Sequence, residues 1–269
     1  VMRAAAAHLT PITLELGGKS PAIVDTSANL KEAAASIIYG KLVNGGQTCI
    51  APDYVVVQAS NYTALVQELQ NAAQKQFSNP AELTSAIDEH QLARWHQLVQ
   101  DAVDRGAEVI RLISSTDNAS LPFSPVALLN VSEDALIMQE EVFGPILPIV
   151  TINDIDSTIR YINDRPMPLA LYWFGKNKGV MKRILNETRS GGVTINDTLL
   201  HAAVEDLPFG GIGASGMGTY HGKAGFEAFS HRKSVLDVRG FFGLHFLRGT
   251  QLARPPYGKG VERLLRWLK

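Results

Sequence analysis

One cysteine is all that the 269 residues contain. A single thiol cannot close an internal disulfide, so a reducing, cytoplasmic setting is expected. Apolar residues nowhere run long enough to suggest a membrane-spanning helix. Charge of neither sign is in excess: 25 Lys and Arg stand against 26 Asp and Glu, for a net charge of −1. Nothing global therefore points to nucleic acid as a partner. The seven histidines show no metal-ligand spacing, and no GxxxxGK[ST] phosphate loop occurs, so no metal is expected. The opening segment has one arginine, Arg3, and an apolar run too short for a signal peptide, interrupted by Pro11. Because it begins with Val1 rather than Met, the chain is expected to start inside a longer protein.

With 45% hydrophobic and 19% charged residues, the chain has the composition of a globular protein with one large or two smaller domains. An Ala-rich helix end over residues 1–8 leads to a short strand, Ile12–Leu16, that stops at Gly17-Gly18. Pro21–Val24 reads as a buried strand, and a helix begins at Asn29 and gives out at Asn44-Gly45-Gly46. Strand and helix patterns then alternate as far as Asn196. This alternation predicts an α/β fold with a mostly parallel sheet flanked by helices. Leu207–Gly218 is too rich in glycine for regular structure, and a last strand is expected at Ser234–Val238.

The cysteine lies in Asn44-Gly45-Gly46-Gln47-Thr48-Cys49-Ile50-Ala51-Pro52-Asp53, between the end of a helix and the start of a strand. A thiol that only fills core more often sits inside an apolar periodic run. Cys49 is therefore either a nucleophile or a small residue in a buried connection. Glu15 stands between two leucines just before two glycines, and Glu140-Glu141 precede Val142-Phe143-Gly144-Pro145. Such acids are strand-end groups facing water, paired groups, or acids whose pKa is raised in a cavity. Thiol chemistry through an acyl intermediate would need one of them to activate water. Gly211-x-Gly213-x-x-Gly216 has the letters of a dinucleotide fingerprint, with Asp237 about twenty residues on. The acidic, proline-broken feed Glu205–Phe209 is no buried strand, so a structural loop held against another backbone is expected instead.

Five segments in order resemble the aldehyde dehydrogenases. Leu14-Glu15-Leu16-Gly17-Gly18-Lys19-Ser20-Pro21 resembles the family's catalytic-glutamate segment, and Gly46-Gln47-Thr48-Cys49 its catalytic-cysteine segment, 34 residues on from Glu15 to Cys49. Glu140-Glu141-Val142-Phe143-Gly144-Pro145 resembles its cofactor-ribose segment. Gly191–Asn196 and Leu207–Gly211 resemble its two late active-site segments. Ala51–Tyr54, Pro168–Tyr172 and Ser215–Gly222 are similar to the branch that holds the class 3, fatty and coniferyl enzymes, and Arg254-Pro255-Pro256-Tyr257 resembles the coniferyl group.

The resemblance implies oxidation of an aldehyde, aromatic on the coniferyl likeness, to the acid with NAD as acceptor and NADP as the alternative. Cys49 would be the nucleophile and Glu15 the base that activates water. Glu141, Phe143 and Gly17 would serve the cofactor, and Lys19, Asn196, Thr48 and Phe209 the substrate or the groups behind it. Loss of the thiol proton would be favoured by a local positive potential, such as bound nicotinamide supplies. Residues 1–17 would be a remnant of the cofactor domain, 18–211 the catalytic domain, 212–239 a return segment with an oligomerisation strand, and 240–269 a tail. A homodimer is implied. The apolar Phe241–Leu247 would pack on a neighbouring subunit, or touch a membrane surface together with Arg263, Arg266 and Lys269. The family's upstream half, with its oxyanion asparagine and most cofactor contacts, has no counterpart here. The isolated chain is accordingly expected to bind cofactor weakly and to be inactive alone. Two other readings stay open: a cofactor-independent thiol esterase, and a non-enzymatic remnant that only assembles.

Overall fold

The computed structural model describes residues 1–113 and 122–236, together with 255 and 258–267. Seven strands form one sheet: β2 (Pro21–Val24), β3 (Tyr54–Gln58), β4 (Glu108–Arg111), β5 (Val126–Leu129), β6 (Ile146–Ile152), β7 (Ala170–Phe174) and β8 (Gly192–Ile195). Their order is β4-β5-β6-β3-β2-β7-β8. Every neighbouring pair is parallel except β4 with β5. The expected α/β architecture is present.

Alternation along the strands explains how helices cover both faces. Ala22, Val24, Val55 and Val57 pack with Ile37 and Ile38 of α2 (Leu30–Leu42) and Leu65 and Leu69 of α3 (Tyr62–Gln76). Their neighbours Ile23, Tyr54 and Val56 pack with Ile159 and Ile162 of α6 (Ile155–Asn163) and Ile184 of α7 (Lys178–Glu187). Trp95, Leu98 and Ala102 of α4 (Glu89–Asp104) join α5 (Leu136–Gln139) against Val126 and Leu128. Period-two strands buried on both faces are what a parallel sheet requires. Asn29 and Asp88, whose side chains accept from the backbone N–H of Glu32 and Gln91, start α2 and α4.

The glycine-rich stretch is more ordered than its composition suggests. Gly216–Met217 forms β9, antiparallel to β1 (Leu14–Glu15), and Phe209 bridges Tyr220. A Cβ on Gly216 would stand 2.1 Å from the Leu14 carbonyl oxygen, so the loop is held against another backbone, as its sequence context indicates. The chain forms two compact units, Val1–Phe229 and Ser230–Lys269, and the expected boundaries at 17 and 211 fall inside the first. In the second unit, Ser234–Leu236 is in no sheet, while 237 and 238, with the apolar 241–247, lie outside the described residues. In that unit Lys259–Trp267 forms a helix. No helix among the described residues is long and apolar enough to cross a membrane. No group of acidic, histidine or cysteine residues among them could hold a metal.

Candidate active site

The connections entering β2, β3 and β6 converge at the amino ends of those strands. Residues 15–19 lead into β2, 46–53 into β3 and 140–145 into β6. Three consecutive positive φ angles, at Asn44, Gly45 and Gly46, turn the chain out of α2 toward Cys49. At Gly46 (φ 72°) a Cβ would meet the Gly144 carbonyl oxygen at 2.4 Å, so the cysteine loop lies against the 140–145 segment. Only glycine fits there.

Cys49 is half-buried, and the Glu15 carboxyl faces it. Burial first, then the negative charge of Glu15 and more remotely of Glu141, pushes the thiol up to about 12. The backbone N–H of Cys49 works in the other direction. The chain's own field at the thiol is thus the reverse of the positive potential expected there. Oε1 of Glu15 is buried without a hydrogen-bond partner, an unspent acceptor beside the thiol.

The segment carrying Glu141 and Phe143 is fastened through its backbone. Lys19 Nζ pairs with Asp53 and donates to the carbonyls of Ile137 at 2.7 Å and Glu140 at 3.0 Å. Oδ1 of Asp53 accepts from Val142 N at 2.8 Å. Arg94 donates to the carbonyls of Glu141 at 2.7 Å and Val142 at 2.8 Å. Gln91 and Trp95 both donate to the Phe143 carbonyl, at 2.8 and 3.0 Å. What remains for other work is side chain: the Glu141 carboxyl, and a Phe143 ring 39% exposed on a left-handed residue (φ 46°).

Oε2 of Glu141 accepts from Gly18 N at 3.0 Å. A Cβ on Gly17 (φ 76°) would stand 2.6 Å from that oxygen, so glycine is required where the carboxyl seats. Burial raises Glu141 to about 7, against the lowering effects of the Gly18 N–H, Lys19 and Lys41. A cavity of about 350 Å³ opens beside Glu141 and Gly18, also lined by Lys19, Arg165 and Met167. Neither Cys49 nor Glu15 lines it.

Glu15, Gly17, Lys19, Thr48, Cys49, Glu141 and Phe143 thus all come from the three converging connections. Thr48 holds the turn after the cysteine, its carbonyl accepting from Ala51 N at 2.9 Å. Phe209 is buried in an aromatic cluster, 5.9 Å from His201, 5.5 Å from Tyr220 and 5.3 Å from His221 between ring centres. Asn196 stands apart from this gathering. It follows β8, whose Ile195 pairs with Trp173, itself paired with Ile23, so it lies toward the carboxyl ends of the strands. There its Oδ1 accepts from Gly175 N at 2.8 Å, closing a turn at the opposite edge.

Sequence reading missed Asp53, Arg94, Gln91, Trp95 and Lys41. For Asp53 a signal existed: a carboxylate directly ahead of the apolar strand Tyr54–Val57 needs buried partners. The others carry no local mark, because their partners lie 46 to 52 residues away in sequence or across the fold.

A mostly parallel α/β sheet thus gathers one thiol, a facing carboxylate and a second, backbone-seated carboxylate at the amino ends of three strands. The aldehyde dehydrogenase family model matches residues 1–235, and the chain belongs to that family. It is 46% identical over 268 residues to a probable coniferyl aldehyde dehydrogenase of Pseudomonas aeruginosa, covering 98% of this chain and 55% of that protein. The dimeric NADP-preferring aldehyde dehydrogenase of Rattus norvegicus is 44% identical over 236 residues, covering 88% of this chain and 52% of that one. Among solved structures, a substrate-bound Staphylococcus aureus AldH superposes with TM-score 0.86 at 37% identity, over 100% of this chain and 57% of that one. The chain therefore spans about half the length of the relatives it matches.

Proposed function

We propose that these residues carry out the covalent half of an NAD(P)-dependent aldehyde oxidation. The observation that carries the reading is the Glu15 carboxyl facing the chain's single thiol, with one oxygen buried and unpartnered. With its thiol at about 12, Cys49 is protonated at neutral pH and needs a base before it can attack. Glu15 is the carboxylate in place to take that proton. Attack of Sγ on the aldehyde carbon forms the C–S bond of a thiohemiacetal, and the Cys49 N–H is a donor for the alkoxide that develops. After oxidation the carbon is a thioester; Glu15, having released the thiol proton to solvent, takes a proton from the attacking water and returns it to the departing thiolate, which restores the thiol and releases the acid.

The residues present fit a dinucleotide at its nicotinamide end. The Gly17 cradle seats the Glu141 carboxyl, which has acceptor capacity beyond its bond to Gly18, and Phe143 offers an exposed ring face. Glu141 would accept from ribose hydroxyls and Phe143 would pack against the ring. When bound, NAD(P)⁺ supplies the hydride acceptor for the thiohemiacetal carbon. An aromatic, coniferyl-type aldehyde is the substrate class supported by the Pseudomonas aeruginosa relative. A homodimer is supported by the name of the dimeric rat relative.

The test is NAD(P)H formation from coniferyl aldehyde by a protein of full family length carrying these residues. Cys49→Ala is expected to abolish it, and a wild-type rate in that variant overturns the assignment. In this chain alone, p-nitrophenyl acetate should leave one acetyl group on Cys49. Acylation that persists in Cys49→Ala excludes both the oxidation reading and its cofactor-independent esterase counterpart.

A further inference from the structure

The turn that carries Cys49 is closed from inside and held from outside. From inside, the Thr48 carbonyl accepts from Ala51 N at 2.9 Å, which closes residues 48–51. That carbonyl and the Cys49 N–H belong to one planar trans peptide group, so fixing the first aims the second the opposite way. From outside, the Tyr172 hydroxyl donates to the Ile50 carbonyl at 2.5 Å, across 122 residues of sequence. Ile50 is 6% exposed and Tyr172 0%, so solvent is no ready substitute for that donor.

Tyr172 is a firm anchor. It stands inside the sheet on β7, in register with Ala22 of β2 on one side and Thr194 of β8 on the other. His201 braces its ring at 6.0 Å between ring centres, and His201 Nδ1 lies 2.8 Å from Oγ1 of that same Thr194. The Tyr172 ring belongs to the core cluster against which Cys49 packs. Burial above all holds the phenol above its ordinary 10.0, so it is a neutral donor across the working range of pH. A hydroxyl that only satisfied a buried carbonyl would matter to stability alone. This carbonyl sits one residue past the thiol, in the turn whose first peptide group carries the donor for the alkoxide.

We propose that Tyr172 is a positioning residue for the covalent step: by holding the Ile50 carbonyl it fixes the 48–51 turn and keeps the Cys49 N–H aimed at the developing alkoxide. This rests on the nucleophile role given to Cys49 above. Such a donor acts by being in place before the charge forms, and losing one outright costs about 10²–10³ in rate. A turn that is loosened but still closed by Thr48 and Ala51 forfeits part of that, on the order of tenfold.

The experiment compares two reactions of the one thiol, each followed by intact mass at a single pH. Acylation by p-nitrophenyl acetate develops an oxyanion, and alkylation by iodoacetamide develops none. Both use the thiolate, so a shifted thiol cancels in their ratio. In Tyr172→Phe, which keeps the ring and removes the hydroxyl, acylation is expected to fall about tenfold relative to alkylation. Tyr161→Phe removes a hydroxyl bond to Glu133, 2.7 Å long, on the other face of the sheet, and its ratio should stay within about twofold of wild type. An unchanged ratio in Tyr172→Phe, or an equal fall in Tyr161→Phe, overturns the proposal. Should Tyr172→Phe fail to fold, Thr194→Val frees the brace of His201 while leaving the hydroxyl, and is expected to lower the ratio by about threefold. No change there overturns the proposal equally. A wild-type chain that takes up no acetyl group removes the nucleophile reading together with this one, whereas acylation at an unchanged ratio removes the positioning role alone.

Discussion

The two ends of the same parallel sheet handle their polar groups in opposite ways. At the carboxyl ends nearly every named group is spent locally. Asp25 accepts from Ser27, whose hydroxyl accepts from Lys176 N and Asn177 N. Asn177 caps α7 and Asn196 closes the turn at Gly175. At the amino ends of β2, β3 and β6, polar groups are fastened from behind, and in front stand the Cys49 thiol facing Glu15, an unpartnered Glu15 Oε1 and part of the Glu141 carboxyl. Open α/β sheets commonly bind ligands beyond the carboxyl ends of their strands. Here the thiol and the two carboxylates collect at the other end, where the connections entering β2, β3 and β6 approach one another.

The largest difference between the ends should appear in covalent chemistry. Cys49→Ala is expected to abolish acylation by p-nitrophenyl acetate, read by intact mass, whereas Asn196→Ala at the far end should leave the rate within about twofold. Comparable loss in both variants would erase the distinction.

Stability should separate the ends next. Asp53→Asn leaves Lys19 without its buried partner and weakens the tie to Val142, costing about 3–5 kcal/mol. Asn196→Ala removes one hydrogen bond to Gly175, costing about 1 kcal/mol. Thermal or urea melts of the two variants rank them, and an equal loss would mean that the ties behind Glu141 are not stronger than those of an ordinary turn.

Titration sharpens the comparison further. Glu141 lies above its ordinary 4.5, at about 7, so the folded chain holds the extra proton in that window and stability falls as pH rises through it. Lys41 lies below its ordinary 10.5, at about 8, so the unfolded chain holds the extra proton between those values and stability rises with pH there. Urea unfolding across pH should lose the first slope in Glu141→Gln and the second in Lys41→Met. Unchanged slopes would remove these two groups from the pH dependence.

The smallest effect concerns Glu15 as a neighbour of the thiol. Glu15→Gln removes a negative charge beside Cys49 and should lower the pH at which iodoacetamide alkylation accelerates, with burial still holding it above the ordinary 9.0. An alkylation profile that stays in place would mean that burial alone sets the thiol.

The strands and helices were legible because they carry their own period and punctuation, as in Pro21–Val24, an apolar run, and Asn29, where a helix begins. The chemical residues were legible through short neighbourhoods, such as Glu15 before two glycines and Cys49 after a helix stop. Less legible was whatever depends on distant pairing. The β1–β9 ladder joins residues 14 and 217; the pattern at Ile12–Leu16 marks one of its strands, but nothing local marks Gly216–Met217 as the other. Arg94 and Trp95 look like ordinary helix residues until their carbonyl partners arrive from residues 141–143. Asn196 shows the converse: a family-like segment assigned it to the substrate or the groups behind it, and the parallel register puts it toward the carboxyl ends of the strands.

The environment of Cys49 has a consequence for oxidative damage. Peroxide attacks the thiolate, and sulfenic acid forms in proportion to it. A thiol held up to about 12 by burial and a facing carboxyl presents almost none at neutral pH. The chain's single cysteine is therefore guarded from casual oxidation first by its burial and then by the carboxyl that faces it.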